Sequence, residues 1–262
     1  MSARFDNKNI IITGAGSGLG RAVALRLASE GAALVLVDLR AESLEQTRAQ
    51  VQAQTPGART VLVTADCSVE ADVQRYVSEA LAALGRIDGL YNNAGVEGKQ
   101  NPITEYDSTE FDRVIKINLN GVFYGMKYVL PHLAKQGSGA IVNASSVGGI
   151  RAVPNQVGYG ASKHAVAGMT KDAAIEYGQY GVSINAIAPG AIMTDMVIGS
   201  LKQIGGEDGW EDVGRQFVSV NPMRRFGDPA EVASLVSYLL SQEAVFINGA
   251  VIPIDGGQSS AY

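Results

Sequence analysis

Residues 9–38 read NIIITGAGSGLGRAVALRLASEGAALVLVD. A β-branched apolar run (9–14) leads into a glycine-rich turn, then into a stretch where Leu19, Val23 and Leu27 recur at helical spacing until Gly31 stops it. A second apolar run (33–38) follows at once. Strand, tight turn, helix and strand in this order make one βαβ unit. Both runs are continuously apolar rather than alternating, as strands covered on both faces require.

The same rhythm continues in both directions along the chain. Further short apolar runs lie at 60–66, 87–93, 140–145, 182–189 and 250–255, with helical patterning between them. No linker, low-complexity segment or fixed-period repeat interrupts it. The expectation is one α/β domain over residues 1–262: a Rossmann-type, doubly wound parallel sheet of about seven strands with helices on both faces. Pro253 cannot donate to a ladder, so the last strand belongs at an edge. Residues 195–220 break the rhythm, with helical fragments split by Gly205, Gly206 and Gly209. The insertion reads either as a lid over a site or as a loosely packed surface excursion.

Composition excludes several classes. The chain has 262 residues, 46% hydrophobic, with a formal net charge of −5, so nothing suggests a nucleic-acid surface. No apolar run is long enough to span a bilayer, and the N-terminus carries no separate signal core. A single cysteine, Cys67, cannot form an internal disulfide, which fits a reducing cytoplasm. His132 and His164 have no metal-ligand partners in sequence and are read as surface groups; no metal is expected.

The glycine-rich turn TGAGSGLG (13–20) sits where a strand gives way to a helix. Gly14, Gly18 and Gly20, with Ser17 and Leu19 between them, let backbone approach a pyrophosphate while the helix N-terminus supplies free N–H groups. Asp38 ends the second strand, where a carboxylate accepts hydrogen bonds from a ribose 2′-hydroxyl and repels a 2′-phosphate. Ser17 stands where a basic residue would greet that phosphate. The expected cofactor is therefore NAD rather than NADP, with Arg40, two residues on, as the opposing feature.

In VGYGASKHAVAG (157–168), Tyr159 and Lys163 fall at i and i+4 on one helix face. Ketone reduction needs a hydride at carbon and a proton at oxygen. A nearby ammonium favours the phenolate and so tunes a tyrosine for proton transfer. Gly158, Gly160 and Ala161 leave the approach to the phenol open.

With TGAGSGLG, NNAG (92–95), IKINLNGVF (115–123), IVNASSVGG (141–149), YGASK (159–163), NAIAPGAIMTDM (185–196) and PIDGG (253–257), the chain resembles the short-chain dehydrogenase/reductase family over essentially its whole length. The resemblance implies an NAD(H)-dependent oxidoreductase that interconverts a ketone and a secondary alcohol. It implies that Tyr159 is the general acid/base, that Lys163 also binds the nicotinamide ribose, and that Ser146 donates to the substrate oxygen. Asn118 would hold a proton-relaying water. Asp66 would bond around the adenine, with Val69 packed nearby or on the surface. Asn92, Ala94 and Gly95 would line the adenosine ribose side. Pro189, Gly190, Ile192 and Thr194 would hold the nicotinamide carboxamide. A homotetramer is implied, with the C-terminal Ala261–Tyr262 reaching a neighbour or free.

Val96, Glu97, Val147, Gly148, Gln156, Ala191 and Met193 are the candidate substrate contacts, mostly small or apolar, which suits a compact alicyclic ketone, diketone or alcohol. Glu97 reads either as a partner for a second substrate oxygen or as a solvated loop acid. The alternatives are a 3-oxoacyl-carrier-protein reductase, a polyol dehydrogenase, or a non-catalytic dinucleotide sensor on the same scaffold.

Overall fold

The computed structural model describes residues 3–219 and 221–260. Seven parallel strands form one sheet: β1 (Asn9–Thr13), β2 (Ala33–Asp38), β3 (Thr60–Thr64), β4 (Gly89–Asn92), β5 (Gly139–Ala144), β6 (Val182–Pro189) and β7 (Val251–Ile254), in the spatial order β3-β2-β1-β4-β5-β6-β7. The strands predicted from sequence are all present, each shifted by two residues or fewer at either end. Pro253 lies on β7 at the sheet edge, where its missing donor faces no neighbour strand.

Period-two alternation sends successive side chains of each strand to opposite helical layers. Ile10 and Ile12 of β1 join Leu34 and Leu36 of β2 in one core, beneath α1 (Gly18–Ser29), α2 (Ala41–Gln54) and α8 (Pro229–Leu240). Ile11, Val35 and Val37 point the other way, beneath α3 (Glu70–Leu84), α5 (Gly121–Gln136) and α6 (Val157–Tyr177). Fully burying each of these side chains contributes about 1.5–3 kcal/mol. Continuous apolar runs are thus the direct consequence of two cores sharing one sheet.

Two further helices flank the carboxyl ends of the strands. α4 (Ser108–Ile115) passes through a π-helical stretch, Lys116–Asn120, into α5. α7 (Asp195–Ser219) occupies the stretch in which sequence suggested broken helical fragments. Its break is confined to Gly206 (φ 72°, ψ −176°), while Gly205 and Gly209 lie within helix. Among the described residues no helix is long and apolar enough to cross a membrane. Val220, at the end of the expected lid, and Ala261–Tyr262 lie outside the described residues.

Chain reversal at β1 depends on one close approach. A methyl group on Gly20 would sit 2.1 Å from the Gly14 carbonyl oxygen and 2.9 Å from Asn93 Nδ2. Gly20 therefore sets how tightly α1 packs on the turn. Gly20→Ala is expected to lower the unfolding free energy by about 3 kcal/mol, read as a lower denaturant midpoint; an unchanged midpoint would contradict the packing argument.

Candidate active site

β1 and β4 are neighbours although their connections run to opposite sides, so a crevice opens between their carboxyl ends. Thr13 Oγ1 accepts from the N–H groups of Asn93 (2.9 Å) and Ala94 (3.1 Å), and Asn93 Nδ2 donates back to the Thr13 carbonyl (3.0 Å). This lacing holds a cavity of about 380 Å³ open between the two strand ends. Gly14 and Gly18 have left-handed φ values of 64° and 50°, and Ser17, the N-cap of α1, makes no side-chain capping bond. The first N–H groups of α1 are therefore free for an anion.

Asp38 closes the far end of this cavity. Its carboxylate accepts from the backbone of Gly16 (2.9 Å) and of Arg40 (3.0 Å), which fixes its orientation while leaving lone pairs for a diol. A methyl on Gly16 would meet Asp38 Oδ2 at 2.8 Å, so the glycine is needed for this contact. Leu19, Asp66, Ala94, Gly95 and Thr194 also line the cavity, as the sequence suggested. The uncapped helix end, the glycine turn and the oriented carboxylate fit a nicotinamide dinucleotide.

A second cavity, about 500 Å³, lies beside the first and shares Met196 with it. Ser146, Tyr159, Val147, Gly148, Gln156 and Ala191 line it, together with the Glu97 side chain. Ser146 follows β5 and accepts from the Gly148 N–H (3.1 Å), which turns its own proton toward the cleft. It faces the same cleft as Tyr159, and its hydroxyl favours the phenolate form of that side chain. The preceding serine, Ser145, is buried and points away from the cleft, so the thirteen-residue spacing to Tyr159 picks the right member of the pair.

Lys163 is 4% exposed and donates to the Ala144 carbonyl at 2.7 Å. Its Nζ lies 5.6 Å from the Tyr159 ring centroid, over the ring rather than against the hydroxyl that helical spacing alone suggested. The carbonyl at the end of β5 captures the amine first. Burial pushes the Tyr159 hydroxyl up to about 12; the Ser146 hydroxyl opposes this and the Glu97 charge adds to it. Burial pulls Lys163 down to about 8. Tyr159 is thus held as a neutral acid, with a cation over its ring only while Lys163 keeps its proton.

Asn118 is fully buried in the π-helical stretch. Its Oδ1 accepts from Val96 N (2.8 Å), and its Nδ2 donates to Val96 O (2.8 Å) and Ser162 Oγ (3.1 Å). Ser162 Oγ in turn donates to the Tyr159 carbonyl (2.7 Å). The protein contacts of Asn118 therefore brace the loop after β4 against α6, rather than reaching Lys163. A methyl on Gly95 would come within 3.1 Å of Asn118 Oδ1 and 3.5 Å of Lys163 Nζ, so Gly95 keeps this junction close.

Several sequence assignments are corrected. Asn92 ends β4 facing the helical layer, where its Nδ2 bonds Val122 O and Asn143 Oδ1; Asn93, one residue on, lines the dinucleotide cavity instead. Gly20 packs against Gly14 and does not line the cavity. Val96 lines the dinucleotide cavity rather than the substrate cleft, and Pro189 and Gly190 do the reverse. Ile192 is buried beside Gly227 and Met193 points out, so neither lines a cleft. Val69 is exposed at the start of α3 and lines neither cavity. Glu97 is not a solvated acid: its Oε1 accepts from Ser200 Oγ (2.8 Å) and from Gln156, and burial raises its pKa.

α7 supplies the outer wall of this cleft through Val197, Ser200, Leu201, Ile204 and Phe217. It clasps the loop after β4 through Gln100 Nε2 to Ser200 Oγ (2.6 Å) and Gln203 Nε2 to Gly98 O (3.3 Å). Arg40, the feature set against Asp38 in the cofactor reading, lines the dinucleotide cavity; Leu39, Cys67 and Ile117 line it too without having been singled out, and burial pushes the Cys67 thiol up to about 12. Among the described residues no cluster of His, Cys, Asp or Glu is arranged to hold a metal.

Comparison with known proteins agrees with this geometry. A family model described as Enoyl-(Acyl carrier protein) reductase matches residues 14–259. Levodione reductase of Leifsonia aquatica is 51% identical over 261 residues, covering 100% of this chain and 97% of the relative. A crystal structure of levodione reductase superposes with a TM-score of 0.97 at 52% identity, covering 98% of this chain and 100% of that one. NAD+-bound xylitol dehydrogenase follows with a TM-score of 0.90 at 36% identity, covering 97% and 99%.

Replacing Asn118 with Ala removes three hydrogen bonds from a fully buried position. The expected result is a loss of about 3 kcal/mol in unfolding free energy by denaturant titration, and an unchanged value would contradict the bracing role.

Proposed function

The chain belongs to the short-chain dehydrogenase/reductase family, and on that premise we propose that this oxidoreductase interconverts a small alicyclic ketone or diketone, such as levodione, and its secondary alcohol with NAD(H). The observation that carries the reading is the convergence of Ser146 and Tyr159 on one cleft beside the dinucleotide cavity, with the buried Lys163 amine over the Tyr159 ring.

When bound, the nicotinamide supplies a hydride to the carbonyl carbon or takes one from the carbinol. Leu19, Asp38, Asp66, Ala94, Gly95 and Thr194 would hold the dinucleotide, with the pyrophosphate at the start of α1. Ser146 Oγ would donate to the substrate oxygen, and Tyr159 would deliver its hydroxyl proton to that oxygen during reduction. The elevated Tyr159 pKa suits a donor, and charged Lys163 lowers the cost of the phenolate left behind. In alcohol oxidation the proton returns to Tyr159. Glu97 would accept from the hydroxyl of a hydroxyketone, or in its protonated form, which burial favours, donate to the second carbonyl of a diketone, since it stands in the cleft with one carboxylate oxygen engaged.

NAD over NADP is supported by Asp38, whose oriented carboxylate repels a 2′-phosphate; Arg40 also lines the cavity and opposes the preference. Assembly as a homotetramer is supported by exposed apolar side chains on α5 and α6, with Phe123 and Ile175 the most prominent (46% and 83% exposed). Light scattering at micromolar concentration should give about four chain masses; a monomer mass would refute the assembly.

Tyr159→Phe should leave NADH affinity nearly unchanged and reduce ketone turnover by about 10³-fold or more; equal turnover would refute the mechanism. A panel of cyclic diketones, secondary alcohols, polyols and acyl thioesters, assayed with NADH and NADPH, separates the alternatives. Fastest turnover of a cyclic diketone with NADH is the expected result, and preference for an acyl thioester or a linear polyol would overturn the substrate assignment. Asp38→Ala should lose most of the discrimination against NADPH.

A further inference from the structure

The proton-transfer pair is built on one helical turn, 159–163, and the position of that turn relative to β5 is fixed by a crosswise pair of hydrogen bonds. Lys163 Nζ donates to the carbonyl of Ala144, the last residue of β5. In the opposite direction, Ser145 Oγ donates 2.9 Å to the Lys163 backbone carbonyl. That carbonyl already serves the helix ladder, so the serine contact is additional and local to this residue.

Ser145 is itself immobilised. It is 4% exposed, and its N–H donates 2.9 Å to the Ile187 carbonyl of β6. The adjoining 3₁₀ turn, Val147–Gly149, makes room for the contact: a methyl on Gly149 would sit 2.3 Å from Ser145 Oγ and 2.6 Å from the Lys163 carbonyl. Adjacent serines thus face opposite sides, Ser146 into the cleft and Ser145 into the backbone of α6.

We propose that Ser145 is a positioning residue, whose hydrogen bond to the Lys163 carbonyl locks the height of the 159–163 turn against the end of β5 and so sets the separation of the Ser146 and Tyr159 hydroxyls and the seat of the Lys163 amine. The inference rests on the reading of Tyr159, Lys163 and Ser146 given above. A slip of this turn moves the phenol along the cleft, where small displacements of reacting groups cost large factors in rate.

The test compares Ser145→Ala, Ser145→Cys and Tyr159→Phe with wild type, using the ketone that wild type turns over fastest. Ser145→Ala should lower kcat about tenfold per folded enzyme, with little change in substrate KM. It should also move the basic limb of the pH–kcat profile to higher pH, because a loosened turn rehydrates the amine. Ser145→Cys, which keeps a weak donor of similar shape, should fall between, and it gives the same reading if the alanine variant fails to fold. A lowered melting temperature with kcat per folded enzyme and pH profile both at wild-type values would overturn the proposal while an inactive Tyr159→Phe leaves the catalytic reading standing. An active Tyr159→Phe would overturn that reading itself.

Discussion

A buried ammonium must be hydrogen-bonded, and Lys163 meets that need on the carbonyl that ends β5. Much of the site follows from this contact. It draws the first turns of α6 down onto the sheet, which places Tyr159 over the cleft and beside Ser146. The same burial that makes the contact necessary lowers the amine to about 8 and raises the phenol to about 12, so at neutral pH both keep their protons, the amine as a cation and the phenol uncharged.

The surroundings of the pair are arranged to keep the turn still. Asn118 and Ser162, both fully buried, link the loop after β4 to the Tyr159 carbonyl, and satisfied polar networks of this kind are stiff. On the opposite wall, α7 meets that same loop through Glu97, Gln100, Ser200 and Gln203, in contacts that are only partly buried. Met196 borders both cavities, which makes the start of α7 a shared boundary between dinucleotide and substrate.

The sheet and its order of elements were legible in the sequence because buried parallel strands demand continuous apolar runs, and glycines at 14, 18 and 20 mark the first turn. Asp38, Asp66, Ser146 and Tyr159 were legible as residues of the two clefts because each stands near a strand end or on one helix face, and Lys163, on the same face as Tyr159, lies buried behind them. What failed was direction. Asn92 ends β4 and Asn93 follows it on the opposite side, and no pattern within NNAG says which side holds the cavity; pairing of β4 with β1 decides it. Helical spacing put Lys163 beside Tyr159 but could not foresee the competing carbonyl of Ala144, which belongs to another element. The two readings of Glu97 could not be separated in the sequence because its partners, Gln156 and Ser200, lie far away along the chain. Gly206 alone breaks α7, since only that glycine adopts a backbone conformation closed to other residues.

The central claim is that reduction needs a protonated Lys163 beneath a neutral Tyr159. The most direct measurement is the pH dependence of kcat for ketone reduction at saturating NADH, for the wild-type enzyme and Lys163→Met. Because burial lowers the amine, its charge is complete only below about pH 8, and the account predicts a plateau through neutrality with a fall above about 8 that the methionine variant lacks. A wild-type profile that stays level to pH 10, or one shared with the variant, would contradict it.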